Sequence, residues 1–460
     1  MDRRGFLAGG MALASLARAA RAGAADGAAV TDDVRTAARE AFLYGVPLAE
    51  LARIRSAAIG DQPLAGSAGY NAFNHSRAPA DAKSRDFSGP EPGVLYSSAW
   101  INLAAGGARL TVPPTDAWWF RLSLIDMYGD TLKVVGGPQV AEEGAELSLI
   151  GPPGHIGVGG YTVPKPRMPL IHRAIRTPGR WVWALARIHV GDRRDLAAAC
   201  ALQDGLDISV KTVPASPAPA PALDAPWGDY FYAVQKLIEE NPPGADETMF
   251  FRRIAALQLG MYDGFEKARF ADVDAAAAEA GADEGRRLLK GPPTVADGGW
   301  IYPAADLGDF GMDYPYRARM TLALPGALPP DEALALRALA PGGGLAFNNA
   351  ERYRLTLPGP PPVDGFWSLA LYQETPEGRL FLPDNPVNRG WIDDRTPVRR
   401  HASGAIDIWI GHGDPGGAYA ANWLQPPAHG PFGLVFRAYR PGAALADRRY
   451  RLPPVELIAR

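Results

Sequence analysis

The sequence of 460 residues has one cysteine, Cys200, and almost no excess of either charge. A single cysteine excludes an internal disulfide and a cysteine-rich metal site. With 47 Lys and Arg against 50 Asp and Glu, the chain lacks the basic surplus that binds nucleic acid or anionic membranes. No run after residue 24 reaches 18 apolar residues, so we expect no membrane span once residues 1–24 are removed.

Several catalytic signatures are also absent. The chain has neither the G-x-S-x-G elbow nor S-x-x-K, and it has no phosphate-binding G-x-x-x-x-G-K-[ST] loop. It lacks H-E-x-x-H, and its seven histidines are scattered. His412 and Asp414 are the nearest thing to a ligand pair, but a turn explains them equally well. His189 is interpreted as a surface or interface histidine. We therefore predict no metal and no cofactor.

The first residues have the form of an export signal. Arg3 and Arg4 precede an uncharged run from Gly5 to Ala17, and small residues follow at 22–24. A charged start, a short apolar segment and an A-x-A end are typical of a secretory signal, and the arginine pair resembles the twin-arginine type. We expect residues 1–24 to be removed and the mature protein to be periplasmic or secreted.

The abundant glycine (52) and proline (44) favour a turn-rich β architecture. Residues 32–213 are predicted to form two helices, separated by a break at Gly45 and Pro47, and then a β-sandwich with a short helix at 195–204. A Pro/Ala-rich linker is expected at 214–227. A helical segment is predicted at 228–295. The period-2 pattern returns from Tyr314, which predicts a second β domain over 311–460.

Several segments resemble a known two-domain family. In the first half they are 96–100, 176–178 and 181–187, and in the second half 361–369, 384–389, 394–395, 422–424 and 430–432. Together they resemble the bacterial exported proteins that carry domain of unknown function 1254 followed by domain of unknown function 1214, over about residues 32–460. The resemblance implies an immunoglobulin-like N-terminal β domain, a helical middle and a jelly-roll-like C-terminal domain, and it implies no reaction.

One position departs from that family pattern. Relatives usually carry an Asn-Asn-Asp-Thr-type stretch before Leu-Tyr-Ser, whereas this chain has Glu91-Pro92-Gly93-Val94. The aspartate that the family offers as a polar group is therefore missing. Its role is either lost here or moved to Glu91, and the sequence leaves this open.

The loop from Asp384 to Arg395 is the strongest candidate for a site, because loops held by a rigid β scaffold often carry function. It is densely polar and coincides with family-like motifs. Asp393 or Asp394 is a candidate general acid or base, with Asp364 as a further catalytic carboxylate. Arg389 and Arg395 can hold an oxyanion in bidentate fashion, and Asn385 and Asn388 are predicted to contact the same ligand. A self-contained turn with internal pairing is the structural alternative.

Other candidate ligand contacts are spread along the chain. Trp391 and Trp423 are predicted in loops, where an indole can stack on a sugar ring or a flat apolar ligand. The remaining predicted substrate contacts are Tyr96, Asp126, Tyr128 and Arg187. We expect the ligand site where the Asp384–Arg395 loop meets the first β domain.

Two functions follow from these residues. The first is a metal-independent periplasmic hydrolase or lyase that acts on a small or carbohydrate-like molecule. The alternative is a non-catalytic periplasmic ligand-binding or cell-envelope protein that uses the same groove. The twin-arginine signal favours the enzyme and the missing aspartate favours the binder. Homo-oligomerisation is left open.

Overall fold

The computed structural model describes residues 4–60, 69–116, 118–152, 174–191, 195–211, 216–260, 264–290, 296–385, 387 and 389–459, with side chains from residue 32 to residue 458. The predicted signal segment 1–24 therefore lies outside the described side chains. Within the described part, no helix is both long and apolar enough to cross a bilayer. The fold is rich in mostly antiparallel sheets, with helices packed against them, as the sequence predicts.

The described residues of the first β unit form nine strands, which are β1 Asn74–His75, β2 Val94–Asn102, β3 Gly107–Val112, β4 Phe120–Ile125, β5 Thr131–Gly136, β6 Ala145–Ile150, β7 Ala174–Arg176, β8 Trp181–His189 and β9 Asp207–Val210. They make a five-stranded sheet of order β1-β2-β8-β4-β5 and a four-stranded sheet of order β7-β6-β3-β9. Apolar side chains such as Leu110, Leu122 and Ile188 fill the space between the two sheets.

In the part of the second β unit that the structure describes, the strands are β10 Ala296–Asp297, β11 Trp300–Ile301, β12 Ala333–Ala338, β13 Arg352–Leu357, β14 Trp367–Glu374, β15 Leu380–Phe381, β16 Trp391–Asp393, β17 Ile406–Ile410, β18 Trp423–Leu424, β19 Gly433–Tyr439 and β20 Glu456–Ala459. One sheet has the order β10-β11-β12-β19-β14-β15, with β16 also on β14, and the other has the order β18-β17-β13-β20. Leu355, Leu369 and Ile408 belong to the shared core.

The helices of the described chain are α1 Arg4–Ile59, α2 Pro138–Glu143, α3 Leu196–Asp204, α4 Trp227–Glu240, α5 Thr248–Arg253, α6 Asp272–Leu289, α7 Tyr314–Ala323 and α8 Ala443–Ala446. Short 3-10 turns lie at Ala245–Glu247, Ala255–Leu257, Lys267–Arg269 and Gly417–Asn422. Helices α1 and α4 cover the outer face of the five-stranded sheet, where Trp100, Trp181 and Trp183 are buried.

Two sequence predictions about helices are wrong. Helix α1 passes through Gly45 and Pro47 without a break. Tertiary packing explains this, because a side chain at Gly45 would meet Tyr230 Oη and Val234 Cγ2 of α4 at 2.8 Å. The second error is at Tyr314, where helix α7 stands in place of the predicted return of β structure. Asp313 caps α7 by accepting a hydrogen bond from the Tyr316 backbone N–H.

Candidate functional site

A cleft lies where strand ends of the two β units meet. Strands β4 and β8 are antiparallel and pair Phe120 with Ile188, so the start of β4 and the end of β8 share one sheet edge. In the second unit, β14 begins at Trp367, beside the ends of its antiparallel partners β16 and β19. Residues just outside these strand ends therefore face one another across the two units.

The cleft has a volume of about 360 Å³, which is within the range of small-molecule sites. It combines acidic, basic and aromatic side chains from both units. The residues that line it are Asp116, Trp118, Trp119, Arg121, Gly137, Pro138, Ala141, His189, Asp364, Gly365, Phe366, Asp394, Arg395 and Arg440. Three predicted site residues, Asp364, Asp394 and Arg395, are thus brought together.

An aromatic stack forms one wall of the cleft. The His189 imidazole lies flat on Phe366, with ring centroids 3.7 Å apart and planes inclined by 13°. Phe366 stacks in turn on Tyr439 at 4.1 Å, and Trp119 meets the edges of both rings. Because His189 and Trp119 come from the first unit and Phe366 and Tyr439 from the second, the stack fixes the two strand-end groups relative to each other.

His189, Asp393 and Asp394, which we call the His-Asp cluster, form the polar centre of the cleft. A ring nitrogen of His189 and one oxygen from each carboxylate lie within 4.8 Å of one another. Asp393 is held rigidly, because its Oδ1 accepts hydrogen bonds from Thr396 N, Thr396 Oγ1 and Arg395 N at 2.7, 2.7 and 3.2 Å. Asp394 is exposed. The cluster thus joins a fixed carboxylate, a movable carboxylate and an imidazole.

His189 is 5% exposed, and its Nε2 has no hydrogen-bond partner among the described residues. A buried polar atom without a partner costs on the order of 1–3 kcal/mol, so it is retained where something else compensates. Burial lowers the pKa of His189 to about 4, and the nearby Arg395 acts in the same direction. The imidazole is therefore neutral at pH 7 and has a lone pair to offer.

The carboxyl group of Asp394 has a raised pKa of about 6. Partial burial is the larger cause, and the adjacent charge of Asp393 adds to it, while Arg395 opposes both. Two carboxylates this close resist carrying two negative charges together. The carboxylates of the cluster are therefore able to accept a cation or a proton.

Arginines supply the positive charge of the cleft. Arg395 pairs with Asp195 of the first unit through Nη1 and Oδ2 at 3.1 Å, and Gly191 N donates to the same carboxylate oxygen at 3.2 Å. The Arg395 guanidinium passes directly over Gly191, in the space that a Cβ atom would occupy. Arg440 is exposed and has no partner for its guanidinium among the described side chains.

Behind the cleft lies a buried polar set that we call the Glu91 network. Glu91 is 1% exposed and accepts hydrogen bonds from Ser368 Oγ at 2.7 Å and Tyr439 Oη at 3.2 Å. Its Oε2 is 3.5 Å from Arg437 Nη1, and its Oε1 accepts from Gly93 N at 3.1 Å. Glu91, which lies in the stretch that departs from the family pattern, thus connects the two β units, and it does not line the cleft.

Two predicted ligand contacts belong to this interior. The Tyr96 hydroxyl accepts a hydrogen bond from Glu91 N at 2.8 Å, and Arg187 Nη2 donates to the Gly326 carbonyl at 2.7 Å. Both line a cavity of about 40 Å³, which suits a water molecule and is too small for a metabolite. Tyr96 also lines a second cavity of about 290 Å³, next to His75 and Ser98, which shares no lining residue with the cleft.

Asp126 and Tyr128 lie in another buried set, which we call the Arg317 network. Arg317 is 1% exposed and is surrounded by the rings of Tyr44, Tyr128 and Tyr314. Asp126 Oδ1 accepts from the backbone N–H groups of Tyr128 and Asp130 at 2.9 and 3.0 Å. The network joins the first β unit to α1 and α7, and it does not reach the cleft.

The remaining predicted residues are held in local structure. Asn385 Nδ2 donates to the Gln425 carbonyl, and the Arg389 carbonyl accepts from Gln425 N. Trp423 is 8% exposed and donates from Nε1 to the Gly411 carbonyl, while Trp391 packs against a small apolar cluster. Asn388 lies outside the described residues. Among the described residues of the Asp384–Arg395 segment, only Asp394 and Arg395 at its C-terminal end line the cleft.

Sequence reasoning missed the importance of five cleft residues, which are Trp119, Arg121, His189, Phe366 and Arg440. Each stands within two residues of a strand end. A strand end is visible in the sequence where the alternation of apolar and polar residues gives way to an irregular pattern. Which strand ends lie at the same edge of a sheet depends on the order of the strands in that sheet.

Comparison with solved structures supports this fold. The VPA0106 protein from Vibrio parahaemolyticus superposes with a TM-score of 0.64 at 18% identity, over 92% of this chain and 100% of that one. An uncharacterized protein from Burkholderia cenocepacia gives a TM-score of 0.41 at 14% identity, over 94% of this chain and 96% of that one. The first similarity concerns the fold alone, and the second is too low to support an argument. No curated protein matches the chain.

Family models match both β units in the predicted order. The model described as protein of unknown function DUF1254 matches residues 70–210, which contain β1 to β9. The model described as protein of unknown function DUF1214 matches residues 332–443, from β12 through β19. The cleft is therefore built from both matched regions, and the chain belongs to the family of proteins in which DUF1254 is followed by DUF1214.

Proposed function

We propose that the protein is an exported periplasmic hydrolase or lyase, which acts in the cleft on a small or carbohydrate-like molecule that carries an acidic group. The observation that carries this proposal is the placement of arginines beside the His-Asp cluster in one cleft of metabolite size. The arginines that bind the acidic group and the side chains that transfer a proton then lie within a few ångströms of each other.

Recognition of an acidic group rests on the arginines. Guanidinium groups bind carboxylates and phosphates in bidentate fashion, and such charge-assisted bonds are stronger than neutral ones. Arg440 is exposed and Arg395 is half-exposed, at 49%, so both can turn toward a ligand. Trp118 and Trp119 also line the cleft, and their indole rings supply apolar surface suited to a sugar ring or another flat group.

Chemistry rests on the carboxylates and the imidazole. Asp394, Asp364 and His189 all line the cleft, and His189 lies close to Asp393. Hydrolysis and elimination both need one group that removes a proton and another that supplies one, and these side chains are suited to both tasks. The sequence predicts a reaction without a metal, and the metal experiment below tests that prediction.

The alternative is a non-catalytic ligand-binding or cell-envelope protein that uses the same cleft. The half-buried Trp118 and Trp119 and the exposed arginines favour it, since they provide binding surface on their own. We also propose that the first β unit is immunoglobulin-like and the second jelly-roll-like. Tracing strand order in a crystal structure tests these finer assignments.

Replacement of Arg395 by alanine should weaken ligand binding about 10- to 100-fold, because a hydrogen bond to a charged group contributes about 1.5–3 kcal/mol. The unliganded protein should lose little stability, since both side chains of the Arg395–Asp195 pair are partly exposed to solvent. A thermal-shift screen of small carboxylic, sugar and phosphate acids measures both quantities.

Gly191→Ala and Arg389→Ala are the matched variants for this screen. The methyl group of Gly191→Ala would occupy the space of the Arg395 guanidinium and displace it, so this variant should also lose ligand response. Arg389→Ala removes an arginine of the same segment that does not line the cleft, so it should respond as the wild type does. If all three variants responded to the ligand as the wild type does, the ligand site would have to lie elsewhere in the protein.

Turnover separates the enzyme from the binder. Incubation of each screening hit with the protein, followed by mass spectrometry, should reveal a product with the wild type. Asp394→Asn should still bind the hit but lose about 10²- to 10⁴-fold in rate, the usual contribution of a general acid or base. A hit that binds tightly and is recovered unchanged would support the alternative.

Export should depend on the arginine pair. Changing Arg3 and Arg4 together to lysine is expected to abolish accumulation of the protein in the periplasm, because the twin-arginine route requires both arginines. Cell fractionation followed by immunoblotting measures this. A periplasmic amount equal to that of the wild type would exclude this route.

A further inference from the structure

We propose that the His-Asp cluster binds a divalent first-row transition-metal ion, of which Zn²⁺ is the probe of choice. The sequence predicts no metal, because no metal-ligand motif is present. The cluster instead joins ligands from the two β units, with His189 at the end of β8 and Asp393 at the end of β16. No linear spacing rule could bring these residues together.

The geometry is close to that of a metal site. One nitrogen and two oxygens lie within 4.8 Å of one another, whereas ligand atoms about 2.0–2.2 Å from a common ion lie somewhat closer together. Asp393 is fixed by three hydrogen bonds to Oδ1, which leaves Oδ2 for an ion. Asp394 is exposed, so its side chain is free to close the remaining gap.

The unpartnered imidazole is the independent observation that points to a ligand. His189 is 95% shielded from solvent, and its Nε2 lacks any hydrogen-bond partner among the described groups. The stack on Phe366 holds the ring in one orientation beside the two carboxylates. An imidazole held in this way is a usual metal ligand.

The donor set indicates the class of metal. Carboxylates alone would suit Ca²⁺ or Mg²⁺, whereas an imidazole favours transition metals such as Zn²⁺. Three protein ligands leave coordination positions open to the cleft, as in catalytic zinc sites. The inference does not rest on the proposed reaction, because metal binding is measured without a substrate.

The test is titration of the full mature protein, without a histidine tag and after treatment with a chelator, with Zn²⁺ in an isothermal calorimeter. One equivalent per chain is expected to bind, and Ca²⁺ at the same concentration should bind much more weakly. Asp393→Asn and Asp394→Asn should each weaken Zn²⁺ binding at least about 100-fold. Asp116→Asn, which removes another carboxylate of the same cleft, should bind as the wild type does.

The Asp393→Asn variant keeps an oxygen at the Oδ1 position, so the turn to Thr396 is preserved. Its melting temperature without metal should therefore match that of the wild type, which separates lost binding from lost folding. Absence of a stoichiometric Zn²⁺ site would overturn the proposal, as would undiminished binding by both asparagine variants. Loss of this site would leave the Arg395-dependent ligand response intact, so the two proposals fail separately.

Discussion

Replacement of Glu91 by alanine is expected to lower the free energy of unfolding by about 3–5 kcal/mol, the usual cost of removing one partner from a buried ion pair. Glu91 is 1% exposed, and Arg437, its partner at 3.5 Å, is 6% exposed. Alanine would leave the Arg437 charge without its carboxylate and would deprive Ser368 Oγ and Tyr439 Oη of an acceptor. Urea denaturation followed by fluorescence measures this change.

The unfolding transition should also lose cooperativity in this variant. Glu91 belongs to the first β unit, whereas Ser368, Arg437 and Tyr439 belong to the second. Loss of the network therefore weakens the connection between the units as well as each unit's stability. The two units should then unfold at separate urea concentrations.

Two control variants sharpen the Glu91 experiment. Glu91→Gln keeps an acceptor oxygen and loses only the charge, so its effect should be smaller than that of alanine. Glu377→Ala removes a largely exposed carboxylate that pairs with Arg379, and such pairs contribute at most about 1 kcal/mol. If Glu91→Ala changed stability no more than Glu377→Ala does, the network would not hold the units together.

Asp126→Asn is expected to stabilise the protein above pH 7, which is unusual for a change in a buried hydrogen-bonded residue. Burial, with the nearby charge of Asp130, raises the pKa of Asp126 to about 7 from an ordinary value of 3.8. The folded protein therefore favours the protonated carboxyl. The stability that this proton contributes is complete below pH 4 and is lost as the pH rises through 7.

The asparagine variant removes this pH dependence. Its amide oxygen still accepts from the backbone N–H groups of Tyr128 and Asp130, so the turn remains intact. The rise of the Asp126 pKa from 3.8 to about 7 corresponds to an upper limit of about 4 kcal/mol at pH 8. Urea denaturation at several pH values should show the two proteins equal near pH 4 and the variant more stable at pH 8.

Asp309→Asn provides a control, since Asp309 is an exposed carboxylate close to the same network. Its effect on the free energy of unfolding should be small and nearly the same at pH 4 and pH 8. An Asp126→Asn variant that is destabilised equally at both pH values would show that the aspartate is ionised in the folded protein and is held by Arg317.

Local patterns sufficed for several strands and for most helices, but not for β16 and β18, whose Trp391 and Trp423 are predicted in loops. The alternation of Phe120, Leu122 and Leu124 predicts β4, and that of Ile406, Ile408 and Ile410 predicts β17, since each strand has one face in a core. The pattern failed where packing outweighs propensity. Pro47 continues α1 because this part of the helix is buried against α4, and that energy exceeds the loss of one backbone hydrogen bond.

For the candidate site too, the local sequence indicated some residues correctly and did not identify others. The density of charged groups between Asp384 and Arg395 predicted a site, and its last residues, Asp394 and Arg395, do line the cleft. The same density misled for Asn385, which bonds the backbone of Gln425, because composition does not distinguish a turn from a ligand contact. Tyr96 and Arg187 were singled out by family-like motifs, but those motifs mark the buried boundary between the two units.

The sequence by itself determined the family and the β-rich composition of both units. Those features depend on residues close together in the chain, where periodicity and turn chemistry act. Only the tertiary structure decided that His189 faces Asp393 and Asp394 and that Glu91 lies inside, away from the cleft. The physical reason is that antiparallel pairing and the packing of one unit on the other join strand ends about 200 residues apart, and no local pattern records which ends will meet.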